Sequence, residues 1–145
     1  TRFASMISAS ELRPLVQLAG QIFAMFQQQA VYEDYMFRLL NSVFFATVYT
    51  DTQLSAEILT LMSREMTARN NADNHLKYRL AEALQALAEG QIAKGRADFE
   101  QLTTVSQQIG LTFDTFFGFS AQDWLAFEDQ VKHGQQHTRI LRFEL

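Results

Sequence analysis

VYEDYMFRLLNSVFFATVY, residues 31–49, is the stretch from which the fold is read. It holds neither Gly nor Pro, is far longer than a typical strand, and sets Val31, Tyr35, Leu39 and Val43 one helical turn apart. That pattern predicts a single helix of about five turns. Met36, Leu40 and Phe44 form a second apolar row, Phe37 and Val48 a third, and Phe45 and Tyr49 a fourth. Only Glu33, Asp34, Arg38, Asn41, Ser42 and Thr47 are left to face water. A helix apolar on nearly every side is normally enclosed. The expectation is a central helix with neighbours around it, supplied by its own chain or by a second copy.

Towards the N-terminus, a helix is expected to start near Ser8 to Ser10, where Ser8 and Glu11 have capping-box spacing and Pro14 falls in an opening turn. Its inward face is read as Leu15, Leu18, Ile22, Met25 and Phe26, and it ends in the polar run 27–29. From Pro14 to Thr50 the charged residues are Glu33, Asp34 and Arg38, so the first two helices make an uncharged hairpin, expected as a core or a dimer seam. Towards the C-terminus, Asp51 or Thr52 caps a third helix with Leu54, Ile58, Leu61, Met62 and Met66 inward and Glu57, Arg64, Glu65 and Arg69 outward. The run NNADN at 70–74 breaks it, and Asp73 or Asn74 opens a fourth helix with Leu76, Leu80, Leu84 and Leu87 on its stripe and Ala83 alongside. Gly90 and Gly110 stand where left-handed helix stops are expected, and the helix between them carries Ile92, Phe99, Leu102, Val105, Ser106 and Ile109. Ser120 and Asp123 repeat the capping spacing and open a last helix that should stop at Gly134, followed by an extended arm or a disordered end.

Residues 78–111, YRLAEALQALAEGQIAKGRADFEQLTTVSQQIGL, resemble one tetratricopeptide-type helical hairpin in the positions of Leu80, Ala83, Leu84 and Leu87, the Gly90 turn, and Phe99 and Leu102 in the second helix. Gly95 departs from the pattern, which has alanine there, and no repeat of about 34 residues surrounds the segment. The resemblance implies the shape of an αα-hairpin.

A chain of 145 residues is about one domain's worth and can bury roughly 70% of its unfolded surface without disulfide or metal support. With one proline, six glycines and 48% hydrophobic residues, it is expected to be a single all-α domain spanning 1–145, of five to seven helices packed around 31–49. The net charge of −4 and the absence of a basic run argue against nucleic acid as a partner. The weakly charged apolar segment 39–50 is too short for a bilayer span, which needs about twenty residues. There is no cysteine, hence no disulfide and no thiol catalysis. That leaves the compartment open, with the cytoplasm slightly favoured for a soluble chain. The opening TRFASM, without Met, reads as an excised or processed form.

Candidate chemistry is sparse. His133 and His137 are four apart, but Gly134 lies between them and no Glu follows His133 as a zinc protease requires. His75 lacks the carboxylate spacing of di-iron bundles. The chain has no GxSxG, no GxGxxG and no Walker-type phosphate loop. Glu33 with Asp34, and Glu128 with Asp129, are sequence neighbours that diverge on a helix and are expected as solvated surface carboxylates. No catalytic residue, metal ligand or cofactor is therefore assigned.

What stands out positively is thirteen Phe, four Tyr, one Trp and five Met, densest in LTFDTFFGFSAQDWLAF at 111–127. Such side chains are enriched at interface centres. The first reading is a non-enzymatic interaction or regulatory module that forms a homodimer, binds a partner protein, or both, through Tyr32, Tyr35, Phe45, Tyr49, Phe113, Phe116, Phe117 and Trp124. The alternative is a ligand-sensing helical domain with an apolar pocket for a small hydrophobic molecule or cofactor, lined by Met25, Met36, Met62 and Met66.

Overall fold

Strong helix formers interrupted by short capping and stop signals produce seven helices, and no strand, among the described residues. These are α1 Ala9–Phe26, α2 Glu33–Thr47, α3 Thr52–Ala68, α4 Ala72–Ala88, α5 Ile92–Gln108, the short α6 Phe113–Phe117, and α7 Ala121–Glu144. The structure, a computed structural model, describes residues 9–26, 33–68 and 71–144, with side chains for 12–22, 35–68 and 71–135.

The helix ends follow from local hydrogen bonding. The Asp51 carboxylate accepts from the Leu54 N–H at 3.0 Å and starts α3. Asn71, rather than Asp73 or Asn74, caps α4: its side-chain oxygen accepts from the N–H groups of both those residues, at 3.0 and 3.3 Å. Ser120 and Asp123 form the reciprocal box that opens α7, at 3.1 and 2.8 Å. Gly90 and Gly110 adopt φ of 88° and 78°, which lets the Gln91 and Leu111 N–H groups reach back to the Ala86 and Ser106 carbonyls, each at 2.9 Å.

The core forms where α2, α3 and α4 meet. Phe37, Leu40, Phe44 and Val48 are buried against Leu54, Ile58 and Met62 of α3 and Leu80, Leu84 and Leu87 of α4. α2 packs against α1, α3 and α4, and α4 against α2, α3, α5 and α7, so the two share the centre. Where α3 and α4 cross, Ser55 Oγ donates to Gln85 Oε1 at 2.6 Å, and Gln85 Nε2 donates to the Thr52 carbonyl at 3.0 Å and to Glu89 Oε1 at 2.8 Å. Every polar atom of that buried amide is paired, which keeps the site from being a desolvation penalty.

Several expected orientations are corrected. α2 is central but not enclosed on every side, because Tyr35 and Leu39 look outward. Thr47, expected in water, is buried and donates its hydroxyl to the Val43 and Phe44 carbonyls of its own helix, at 3.0 and 3.1 Å. On α1 the inward row is Leu12, Val16 and Ala19, whereas Leu15 and Leu18 face outward. Both rows have helical spacing, and the one ending in small Ala19 can approach α2 closely. Glu65, expected outward, is buried. α7 does not stop at Gly134, nor is the tail an extended arm: the helix runs on to Glu144. One mid-helix glycine costs about 1 kcal/mol, too little to break a helix with no proline or cap behind it.

The α4–α5 hairpin is tight at Gly95. A Cβ there would lie 3.0 Å from the Ala83 carbonyl oxygen and 3.2 Å from the Leu87 nitrogen. Thus the residue that departs from the tetratricopeptide pattern sits at a close approach of the pair. Gly95→Ala should gain about 1 kcal/mol of helix propensity and lose more by forcing the helices apart, for a net loss of about 1 kcal/mol. Urea unfolding would read the difference, and a stabilised variant would show that the crossing is loose.

Candidate interaction surface

The aromatic segment builds a chain of rings. Phe99 of α5 lies flat on Trp124 of α7, centroids 4.6 Å apart at 12°, and meets Phe113 and Phe119 edge-on at 5.5 and 6.1 Å. Phe119 continues to Phe45 of α2 at 6.1 Å, and Phe113 to Phe117 and then Phe116 at 4.4 and 4.8 Å. Lys77 Nζ lies 5.4 Å from the Phe116 ring centroid, within cation–π range. Of the residues singled out for partner contact, Trp124 is 2% exposed and has no surface to offer. Phe45, Phe113, Phe116 and Phe117 are half-buried in the chain of rings. Tyr49 is exposed while its ring rests on Phe127 at 4.7 Å. Tyr35 stands apart, about three turns up α2, and is the most exposed at 69%. Tyr32 lies outside the described residues.

Charges pin α7 in place. Glu128, expected as a solvated carboxylate, is buried: Arg96 Nε donates to its Oε1 at 2.8 Å, Arg96 Nη2 to its Oε2, and Lys132 Nζ lies 3.4 Å from Oε2. The hydrogen bonds from Arg96 hold its carboxyl below the usual range, against a burial that pushes it up. Its partner lies 32 residues away, so the pair was not visible locally.

Tyr49 keeps 43% of its surface, yet the partial burial of its phenol, reinforced by the Asp123 carboxylate, pushes it up to about 12. A raised phenol pKa adds stability that is complete below the ordinary value of 10 and is lost as pH climbs towards 12. Burial raises the Tyr78 phenol as well, so ultraviolet titration of Tyr49→Phe should lose the step near 12 and keep another late-ionising one. If the step near 12 remains in the variant, the assignment is wrong.

Two open grooves flank α5. One, of about 410 Å³ between α3, α4 and α5, is lined by Arg79, Glu82, Glu89, Lys94 and Asp98 among others, and is charged rather than apolar. The other, of about 400 Å³ between α5 and α7, is walled by Phe99, Thr103, Trp124 and Leu125 with Arg96 and Glu100 also lining it. Neither is lined by methionine. Met36 and Met62 are buried in the core, Met66 packs against it, and the side chain of Met25 lies outside the described residues. Among the described residues no three His, Asp or Glu side chains converge on a metal position, and no helix is long and apolar enough to cross a membrane.

The largest change from the sequence reading concerns the outer side of α1 and α2. Arg13 donates to Asp51 at 3.2 Å, tying the start of α1 to the end of α2 and setting the two helices antiparallel. Outward on α1 are Leu15 and Leu18, 52% and 51% exposed, and on α2 Tyr35 and Leu39, the latter 44% exposed. Gln17 and Gln21 on α1 and Ser42 on α2 are exposed as well. Of the described side chains from 14 to 50, Arg38 is the single charged one. The charge-poor run marked this region in the sequence, but nothing there told that Leu39 would be outside. Fold and surface together define an all-α domain, seven-helixed among its described residues, with a charge-poor hairpin on its flank that exposes Leu15, Leu18, Tyr35 and Leu39. Compared with known proteins, the chain matches no family model, no curated protein and no solved structure.

Proposed function

We propose that this domain is a non-enzymatic protein-interaction module whose contact surface is the outer face of the α1–α2 hairpin. The observation that carries the reading is the exposure of Leu15, Leu18, Tyr35 and Leu39 on adjacent helices with almost no charge among them. Single exposed apolar residues are ordinary. Several together on a charge-depleted face have the composition of an interface centre, and covering the exposed half of each returns about 1 kcal/mol. The aromatic run 113–127 contributes to this function indirectly, by fastening α5, α6 and α7 to the body. Leu18→Glu is expected to leave thermal unfolding nearly unchanged, within about 0.5 kcal/mol, and to reduce binding of an apolar fluorescent dye. Unchanged dye binding, or collapse of the fold, would remove the reading.

A second reading, a ligand-sensing domain, is supported by the apolar wall of the α5–α7 groove. The chain's one tryptophan, Trp124, lines it, so quenching or enhancement of intrinsic fluorescence by a fatty acid or similar amphiphile would support that use. A flat titration would argue against it.

A further inference from the structure

We infer that the occupant of the α1–α2 face is a second copy of this chain, packed across a twofold axis so that two hairpins form a four-helix seam. The inference rests on the interaction surface proposed above and names its partner. Three properties point to self-pairing over another occupant.

The first is charge. Across a twofold axis each patch meets itself, so any net charge on it would meet its own sign. From Pro14 to Thr50 the sequence carries only Glu33, Asp34 and Arg38, two acids and one base, so little net charge would be set against itself. The second is hydrogen-bonding character. The exposed polar residues described on the two helices beyond Pro14 and before Thr47, Arg38 apart, are Gln17, Gln21 and Ser42, and glutamine and serine each carry both donor and acceptor and can pair with their own kind, as lysine or glutamate cannot. The third is area. Helices of 18 and 15 residues lying side by side give a face about 22 Å long and about 20 Å wide, on the order of 450 Å² in plan. That falls in the range of a reversible interface, below the roughly 800 Å² per partner of a standard one. A membrane surface fits less well, because helices that lie on bilayers carry Lys and Arg along their polar side. Here Arg13 is already paired with Asp51 and only Arg38 remains.

Sedimentation velocity on the full chain from about 1 µM to several hundred micromolar should show a monomer giving way to a dimer. Leu18→Glu and Tyr35→Glu should each shift that transition at least tenfold upward in concentration without lowering the melting temperature. Because the chain has no cysteine, Leu15→Cys, Leu18→Cys, Tyr35→Cys and Leu39→Cys can be oxidised one at a time. At least one should give a covalent dimer at concentrations where Thr67→Cys, at an exposed position on α3, does not. A strict monomer throughout would overturn the second copy as occupant. So would a dimer indifferent to both glutamates, which would use another face. Sedimentation with phosphatidylcholine–phosphatidylglycerol vesicles, lost in Leu18→Glu while the free protein stays monomeric, would assign the face to lipid instead. If the chain is monomeric yet Leu18→Glu still removes dye binding, the interaction surface stands and only its partner is wrong.

Discussion

Phe44→Ala is expected to lower the free energy of unfolding by about 3–5 kcal/mol, a large part of the 5–15 kcal/mol typical of a domain. Phe44 has no exposed surface, meets Phe45 edge-on at 5.9 Å, and lies in the cluster that joins α2 to Ile58 of α3 and Leu84 of α4. Truncating it removes the transfer energy of the ring and leaves a hole walled by three helices. These cannot all move inward at once. Tyr35→Ala, on the same helix but mostly exposed, should change stability by no more than about 0.5 kcal/mol. The pair of variants separates burial from helix propensity. Urea unfolding followed by circular dichroism would measure both, and a loss below about 1 kcal/mol for Phe44→Ala would mean that α2 is not enclosed at that point.

Arg96→Met should reverse the acid response of the fold. In the intact protein the Arg96 hydrogen bonds depress the Glu128 carboxyl below its ordinary value of 4.5. Folding then gains stability that is fully present above pH 4.5 and is lost as pH falls through the lower, folded value. Removing Arg96 leaves a buried carboxylate with Lys132 alone, and desolvation is expected to carry its pKa above 4.5. The variant should melt several degrees lower at neutral pH and recover part of that loss on acidification, where the intact protein weakens. Glu128→Gln, of the same shape but uncharged, should be far less sensitive to pH in that window. Melting temperatures across pH 3–7 would decide it, since parallel profiles for the parent and Arg96→Met would show that the pair contributes nothing.

How far the surface could be read from the sequence differs residue by residue. The scarcity of charge between Pro14 and Thr50 marks the first hairpin as unusual, and Tyr35, one of the residues expected at a partner contact, is exposed. Leu15 and Leu18 were noticed for the wrong reason. Their row and that of Leu12, Val16 and Ala19 are equally helical in spacing, and only the position of α2 chooses between them. The aromatic run failed in the opposite sense. Density of Phe and Trp is the same for a surface patch and for a wedge, and Trp124 became core because α5 presents Phe99 parallel to it.

The sequence alone determined what depends on neighbours a few residues away. Helical periodicity, the Asp51 cap, the Ser120–Asp123 box and the stops at Gly90 and Gly110 are interactions within a turn or two, so the all-α class and the boundaries these signals mark follow from them. Tertiary structure alone decided which flank of each helix is wet. Glu128 is buried where Arg96 arrives from another helix, and Leu39 is exposed because none of the described residues covers it. Burial is a property of the neighbour as much as of the residue, and neighbours brought together by folding are not written in local spacing.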